Sequence, residues 1–190
     1  MADFDFTLEP KALLGGADIK IGDNRIVELD ELAIVSIATP QGGADILAKA
    51  LENGWNINVP EPTQTKISGD TRAVRTSPDQ MLLVFPHETP DANAIVQGKL
   101  DGAGYTTDQT DNWIALEVSG PDVHAALERL SPVDLSLVAF PVDASARTVM
   151  ERMGALVIRI SEDRFLLMSA SSSAASFLHA IETSFLYVSD

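Results

Sequence analysis

Apolar and polar positions along the chain fall into two similar series. "LAIVSIATPQGGADILAKAL" (32–51) opens with a short apolar run, breaks at Thr-Pro, and resumes at helical spacing. The spacing predicts a strand, then a helix with Ile46, Leu47, Ala50 and Leu51 inward. "WIALEVSGPDVHAALERL" (113–130) repeats the plan with a Gly-Pro break, and its helix turns Val123, Ala126, Leu127 and Leu130 inward. Pro40 and Pro121 hold the same place, 81 positions apart.

The same correspondence continues downstream. "TRAVRT" (71–76) alternates like a strand with one wet face and leads into "SPDQMLLVFPHE". "ALVIRI" (155–160), apolar with an arginine near its end, leads into "SEDRFLLMSASS". Each pair predicts a hairpin that turns at "SPD" or "SED", with Ser and Asp as turn formers. A helix follows each hairpin. The first is capped by Thr89, has Pro90 in its first turn, ends at Gly102 and shares Ala92, Ile95, Val96 and Lys99 on one face. The second aligns Ala174, Phe177, Leu178, Ile181 and Phe185. "GYTTD" is expected to close the first half as a strand, and "FLYV" the second.

Strand, helix, hairpin, helix, strand is the split β-α-β order, with helices covering one face of a mostly antiparallel sheet. The predicted fold class is α+β, built from two β-α-β-β-α-β-like halves related by a pseudo-twofold. The first half spans 31–110 and the second 111–190. Residues 1–30, polar and glycine-bearing, fall outside the repeat and read as an N-terminal arm, packed on a partner or partly mobile.

Composition narrows the function classes. The chain has 190 residues, 45% hydrophobic and 22% charged, an ordinary globular balance. It has no cysteine, which removes disulfides, thiolate metal sites and cysteine nucleophiles and fits a reducing cytoplasm. No basic start joins an apolar segment, so no secretory signal is expected. No apolar run is long enough to span a bilayer. The net charge of −15 would repel a nucleic-acid backbone and anionic lipid. That acidity fits solubility or a saline environment, or a partner with a basic face.

Candidate chemistry is sparse. His87, His124 and His179 have no metal-helix spacing, and HExxH is absent. Gly42-Gly43 stands where a strand meets a helix, but "TPQGGAD" lacks the GxGxxG order and the Walker lysine. "GAG" at 102–104 reads as a helix end and a turn. Asp101, Asp108 and Asp111 lack the EF-hand order and read as solvated acids. The serines at 169–173 have no GxSxG around them and fit a strand exit and a helix cap. Trp113 is expected in the core, and Trp55 there or at a subunit contact. No catalytic, cofactor-binding or metal-binding residue is assigned. The pattern suits a subunit or binding module better than an independent enzyme.

Two long phrases carry a family resemblance. "NGWNINVPEPTQTKISGDTRAVRTSPDQMLLVFP" resembles a segment in which an "LG…LP…PN" phrase leads to "GPDEWLLV". "LEVSGPDVHAALERLSPVDLSLVAFPVDASARTVM" resembles "sGPdA…L…cpLDL…aFp.g…qT". The pattern is similar to the gamma subunit of heterotetrameric sarcosine oxidase, from about Leu32 to the C-terminus. Gly120-Pro121-Asp122, Pro132-Val133-Asp134-Leu135, Phe140-Pro141 and Arg147-Thr148 carry most of it. Met81 stands where the family has tryptophan, and "SASSSAASF" replaces an Arg-Ser-Phe phrase.

The resemblance implies a fold related to the tetrahydrofolate-binding aminomethyltransferase (T-protein) of glycine cleavage. It implies a cytoplasmic, non-catalytic chain that contributes assembly and stability, with alpha, beta and delta subunits as partners. No cofactor is expected in this chain; FAD, FMN, NAD and tetrahydrofolate are expected on the partners. The complex would demethylate sarcosine oxidatively to glycine, with hydrogen peroxide and formaldehyde or methylene-tetrahydrofolate as further products. The alternative is a stand-alone tetrahydrofolate-binding or one-carbon protein.

Overall fold

The computed structural model describes residues 11–189. A hairpin comes first, β1 (Asp18–Ile21) and β2 (Asn24–Glu28). Then follow β3 (Leu32–Ala38), α1 (Ala44–Trp55), β4 (Thr65–Ser68), β5 (Thr71–Ser77), β6 (Gln80–Pro86), α2 (Ala92–Leu100) and β7 (Tyr105–Asp108). The second series is β8 (Trp113–Ser119), α3 (Val123–Glu128), β9 (Ser145–Met150), β10 (Met153–Ser161), β11 (Arg164–Ala170) and α4 (Ala174–Val188).

The strands form two sheets, ordered β4-β5-β6-β3-β7 and β1-β2-β8-β11-β10-β9. Every pair is antiparallel. The expected α+β class with two related halves is therefore the observed one. β6 and β11 read as unbroken apolar runs because both their faces are covered. Along β10, Val157 faces the helices while Leu156 and Ile158 face the other sheet. The first outer core joins Leu47 and Leu51 of α1 and Val96 and Leu100 of α2 to Val35, Ile37 and Leu83. The second joins Leu127, Phe177, Ile181 and Phe185 to Leu116, Val118 and Leu167. Between the sheets, Ile34, Val74, Leu82 and Val84 meet Leu156, Ile158, Leu166 and Met168. The result is four layers, helix-sheet-sheet-helix.

The two sheets also join at their edges. Thr65 N–H donates to the Asp143 carbonyl at 2.8 Å, and Ser145 N–H donates to the Thr63 carbonyl at 2.8 Å. Between them lies a single bridge, Gln64 to Ala144. The partners stand 80 positions apart, so the pseudo-twofold passes through this bridge. Arg72, largely buried, reaches across it to Asp143 at 2.7 Å. The expected wet face of "TRAVRT" is thus occupied by an arginine turned into the seam.

The structure departs from four of these expectations. Within the expected N-terminal arm, Asp18 to Glu28 forms a hairpin of the second sheet, while 1–10 lie outside the described residues. Ile26 is buried, and the buried Glu28 carboxylate accepts the N–H groups of Leu14, Gly16 and Ala17. These apolar and carboxylate anchors hold the segment in place. Second, "FLYV" belongs to α4, because Phe177, Ile181 and Phe185 continue one buried helical face. The edge it was expected to fill is taken by β2, which pairs with β8 from Arg25↔Ser119 to Glu28↔Leu116. Third, Asp91 rather than Thr89 precedes the first turn of α2. Fourth, Ile46 of α1 is exposed instead of inward.

These corrections reveal how the halves are tied. β2 runs into β3 but pairs with β8. β7 runs into β8 but pairs with β3. Each closing strand therefore belongs to the sheet opposite the strand that follows it, like an exchanged arm.

Candidate functional site

The most specific polar structure is a pair of arginine clamps at the ends of the two central hairpins. β5 and β6 turn at Pro78-Asp79, and β10 and β11 at Glu162-Asp163. Both carry a register irregularity just before the turn, between Arg75 and Ser77 and between Arg159 and Ser161. The bulge re-aims the arginine beside it. Arg75 donates to the carbonyls of Pro60 at 3.1 Å, Ser77 and Pro78. Arg159, with no exposed surface, donates to the carbonyl of Phe140 at 2.6 Å and to those of Leu135 and Glu162. Its guanidinium also lies 4.5 Å over the Phe165 ring. Burial lowers its pKa, opposed by the charges of Asp163 and Glu162.

Each clamp holds the loop that leaves the preceding helix. In the second half this loop contains the "SPVDLSLVAFPVD" phrase. Asp134 accepts the Ser136 N–H at 2.9 Å, which holds its carboxyl below the usual carboxylate range. Ser136 C=O accepts the Phe140 N–H at 2.8 Å, and Leu135 and Phe140 are buried. The "GPD" phrase is structural too. Gly120 has φ of 129°, and a Cβ there would stand 2.4 Å from Asn24 Oδ1. The buried Asn24 amide donates to Asp122 at 2.8 Å and accepts the Asp122 N–H at 3.0 Å. The motif therefore docks the N-terminal hairpin onto the start of α3.

The three histidines lie apart. His87 Nε2 stands 2.7 Å from Asp91 and 2.9 Å from the Thr89 hydroxyl, which itself donates to Asp91. This Thr-His-Asp grouping is not a relay, because acid and hydroxyl address the same ring nitrogen. A relay needs the acid on the opposite nitrogen. His124 Nε2 is 3.0 Å from the Glu162 carbonyl and packs edge-on against Phe165. His179 lines a concavity of about 350 Å³ between α3 and α4, with Arg129, Glu151, Thr183 and Tyr187. A second concavity, about 310 Å³, is lined by Gln109, Asn112, Trp113, Arg147 and Thr148. The Trp113 indole N–H beside it is buried without a partner. Among the described residues no cluster of three His, Asp or Glu side chains could hold a metal.

The remaining candidates have ordinary places. Gly42 takes φ of 73° in the turn before α1, and Gly43 precedes its first residue. Ser169 is buried and donates to the Gly154 carbonyl, while 171–173 form a 3-10 turn into α4. Trp55 packs on the first outer core beneath the Lys99 ammonium, 4.8 Å from the ring centre. Asp101 supplies the left-handed residue that ends α2. Sequence reasoning missed Arg75 and Arg159 as clamps. The available signal was the recurrence of an arginine 84 positions apart, just before each hairpin turn.

No protein-family model and no curated protein sequence matches the chain. Solved structures do match it. A chain of heterotetrameric sarcosine oxidase from Corynebacterium sp. U-96 superposes with a TM-score of 0.77 at 20% identity, covering 90% of this chain and 88% of that one. The glycine cleavage system aminomethyltransferase T from Bartonella henselae superposes with a TM-score of 0.59 at 11% identity. That match covers 81% of this chain and 44% of the transferase. At these identities the likeness establishes the fold.

Proposed function

We propose that this chain is a non-catalytic, gamma-like subunit of a flavin-dependent sarcosine oxidase complex, where it contributes assembly and stability. The supporting observation is the extent of the likeness. The chain covers most of itself and most of a chain from heterotetrameric sarcosine oxidase, but under half of the aminomethyltransferase. A fold shared almost end to end suits a subunit of the same rank. The phrases that resemble the gamma family have structural work in this fold. Gly120 and Asp122 dock a hairpin, and Leu135 and Phe140 anchor a clamped loop. FAD, FMN, NAD and tetrahydrofolate would sit on the alpha, beta and delta partners.

Affinity purification of the tagged chain from its own host tests the proposal. A stoichiometric eluate with flavin absorbance and sarcosine-dependent peroxide formation is the expected result. A colourless chain eluting alone contradicts it.

The second reading is a stand-alone tetrahydrofolate-binding protein, supported by the likeness to the aminomethyltransferase fold. Fold alone is a weak warrant for function. Calorimetry with tetrahydrofolate separates the two readings. Heat of binding to the isolated chain favours the second, and its absence leaves the first.

A further inference from the structure

The two clamped loops are built alike and dressed differently. In the first half, Arg75 holds a loop whose exposed residues include Asn56, Asn58, Glu61, Thr63 and Gln64. In the second, Arg159 holds a loop that exposes Leu137, Val138, Ala139, Pro141 and Val142. Val138 is 97% exposed. The first loop shows that the fold does not require apolar residues here. Five of the six residues from 137 to 142 are apolar and exposed, and such clusters mark interaction sites.

The patch is also preorganised. Phe140 is buried behind it, and the Arg159 guanidinium fixes the carbonyls of Leu135 and Phe140 on either side of its apex. The Ala139 N–H lies 3.4 Å from Ser136 Oγ, and the Ala144 N–H donates to the Pro141 carbonyl at 2.9 Å. A loop fixed before binding loses little conformational entropy when it docks.

Charge selects the occupant. Asp134 and Asp143 bracket the patch along the chain, and Glu162 and Asp163 lie beyond the guanidinium that holds it. Asp143 is paired with Arg72. Both nearby cations, Arg72 and Arg159, are buried. A second copy, also carrying −15, would bring acidic rims together.

We propose that the 137–142 loop is a docking knob for a different protein chain, which receives Leu137 and Val138 in an apolar cleft rimmed by Lys or Arg. The partner's identity rests on the assembly reading above; the surface does not.

Photo-crosslinking tests this in the host, with benzoyl-phenylalanine placed at Val138 and, for comparison, at Glu61 in the equivalent polar loop. The expected result is a crosslink from position 138 to one different chain, at a peptide carrying apolar and basic residues, and none from position 61. The purified complex should weaken at least about tenfold with Leu137→Asp plus Val138→Asp. It should also weaken with added salt, while the isolated variant keeps its circular dichroism and melting temperature. Silence at 138, a crosslink to a second copy, equal crosslinks from both positions, or an unweakened double variant overturns the proposal. If the crosslinked chain belongs to no flavin-containing complex, the assembly reading fails and the knob stands. If the flavoprotein complex forms and the double variant joins it unchanged, the knob fails and the assembly reading stands.

Discussion

Arg75 and Arg159 stand 84 positions apart and hold corresponding loops by their backbone carbonyls. They differ in burial: Arg159 has no exposed surface, whereas Arg75 is part-exposed. Replacing Arg159 with Ala leaves buried carbonyls without donors, at roughly 1–3 kcal/mol for each one. Arg159→Ala is expected to cost about 3 kcal/mol or more, and Arg75→Ala about 1 kcal/mol because water replaces the lost donors. Urea unfolding of the two variants measures the difference. Arg159→Lys should recover little, since an ammonium cannot span the fork of carbonyls.

Gly120 is fixed by Asn24. Any Cβ at position 120 meets the Asn24 side chain and also requires the left-handed backbone. Gly120→Ala should therefore destabilise the protein by about 2–3 kcal/mol. Adding Asn24→Gly removes the side-chain part of the clash, but the Asn24 Cα, 2.7 Å from the added Cβ, and the backbone strain remain, so the double variant should cost less than the sum of the two single substitutions. A double-mutant cycle by thermal unfolding checks this. Strict additivity of the two substitutions would place the strain elsewhere.

The Arg72–Asp143 ion pair crosses the pseudo-twofold seam at 2.7 Å. The Asp143 side chain keeps 43% exposure, so solvent screens the pair and a coupling of about 1 kcal/mol is expected. Asp143 also has φ of 67°, which Asn tolerates better than Ala. Asp143→Ala should cost more than Asp143→Asn. Guanidinium unfolding of both variants gives the order directly.

Asp91 precedes α2 and accepts hydrogen bonds from Thr89 and His87, which hold its carboxyl below the ordinary value of 3.8. A carboxyl depressed in the folded state stabilises it fully above the unfolded value. That contribution is lost as pH falls through the folded value. Carbon-detected titration should therefore find Asp91 below an ordinary aspartate. Thr89→Val should raise it, because the Thr89 bond is the larger cause. An unchanged titration in Thr89→Val would assign the shift elsewhere.

Much of the fold was legible because apolar spacing reports faces directly. Leu47 and Leu51, Phe177 and Ile181, and the twin Ser-x-Asp turns all fell where the pattern placed them. The exchanged strands were not legible. β2 is only five residues long, and its partner β8 lies about 90 positions away, so no local period marks the pairing. "FLYV" satisfies strand and helix patterns alike, and the buried face of α4 together with the filled edge beside β8 decides between them. The arginine clamps were hidden for a related reason: a charge near a strand end shows its purpose only when the distant carbonyls are seen. The docking loop was legible as a phrase, but not its exposure. Leu135 and Leu137 look equivalent in sequence, yet one is buried and the other is 45% exposed.

The proposed role of this chain is to support an enzyme made by other subunits. The most direct measurement is sarcosine-dependent peroxide formation by the flavoprotein subunits, purified with and without this chain and followed through a heat challenge, with native mass recorded beside it. One stoichiometric assembly that includes this chain is expected, with a marked loss of assembly and heat resistance when the chain is omitted. An enzyme of unchanged mass and unchanged heat resistance in its absence would rule out the supporting role.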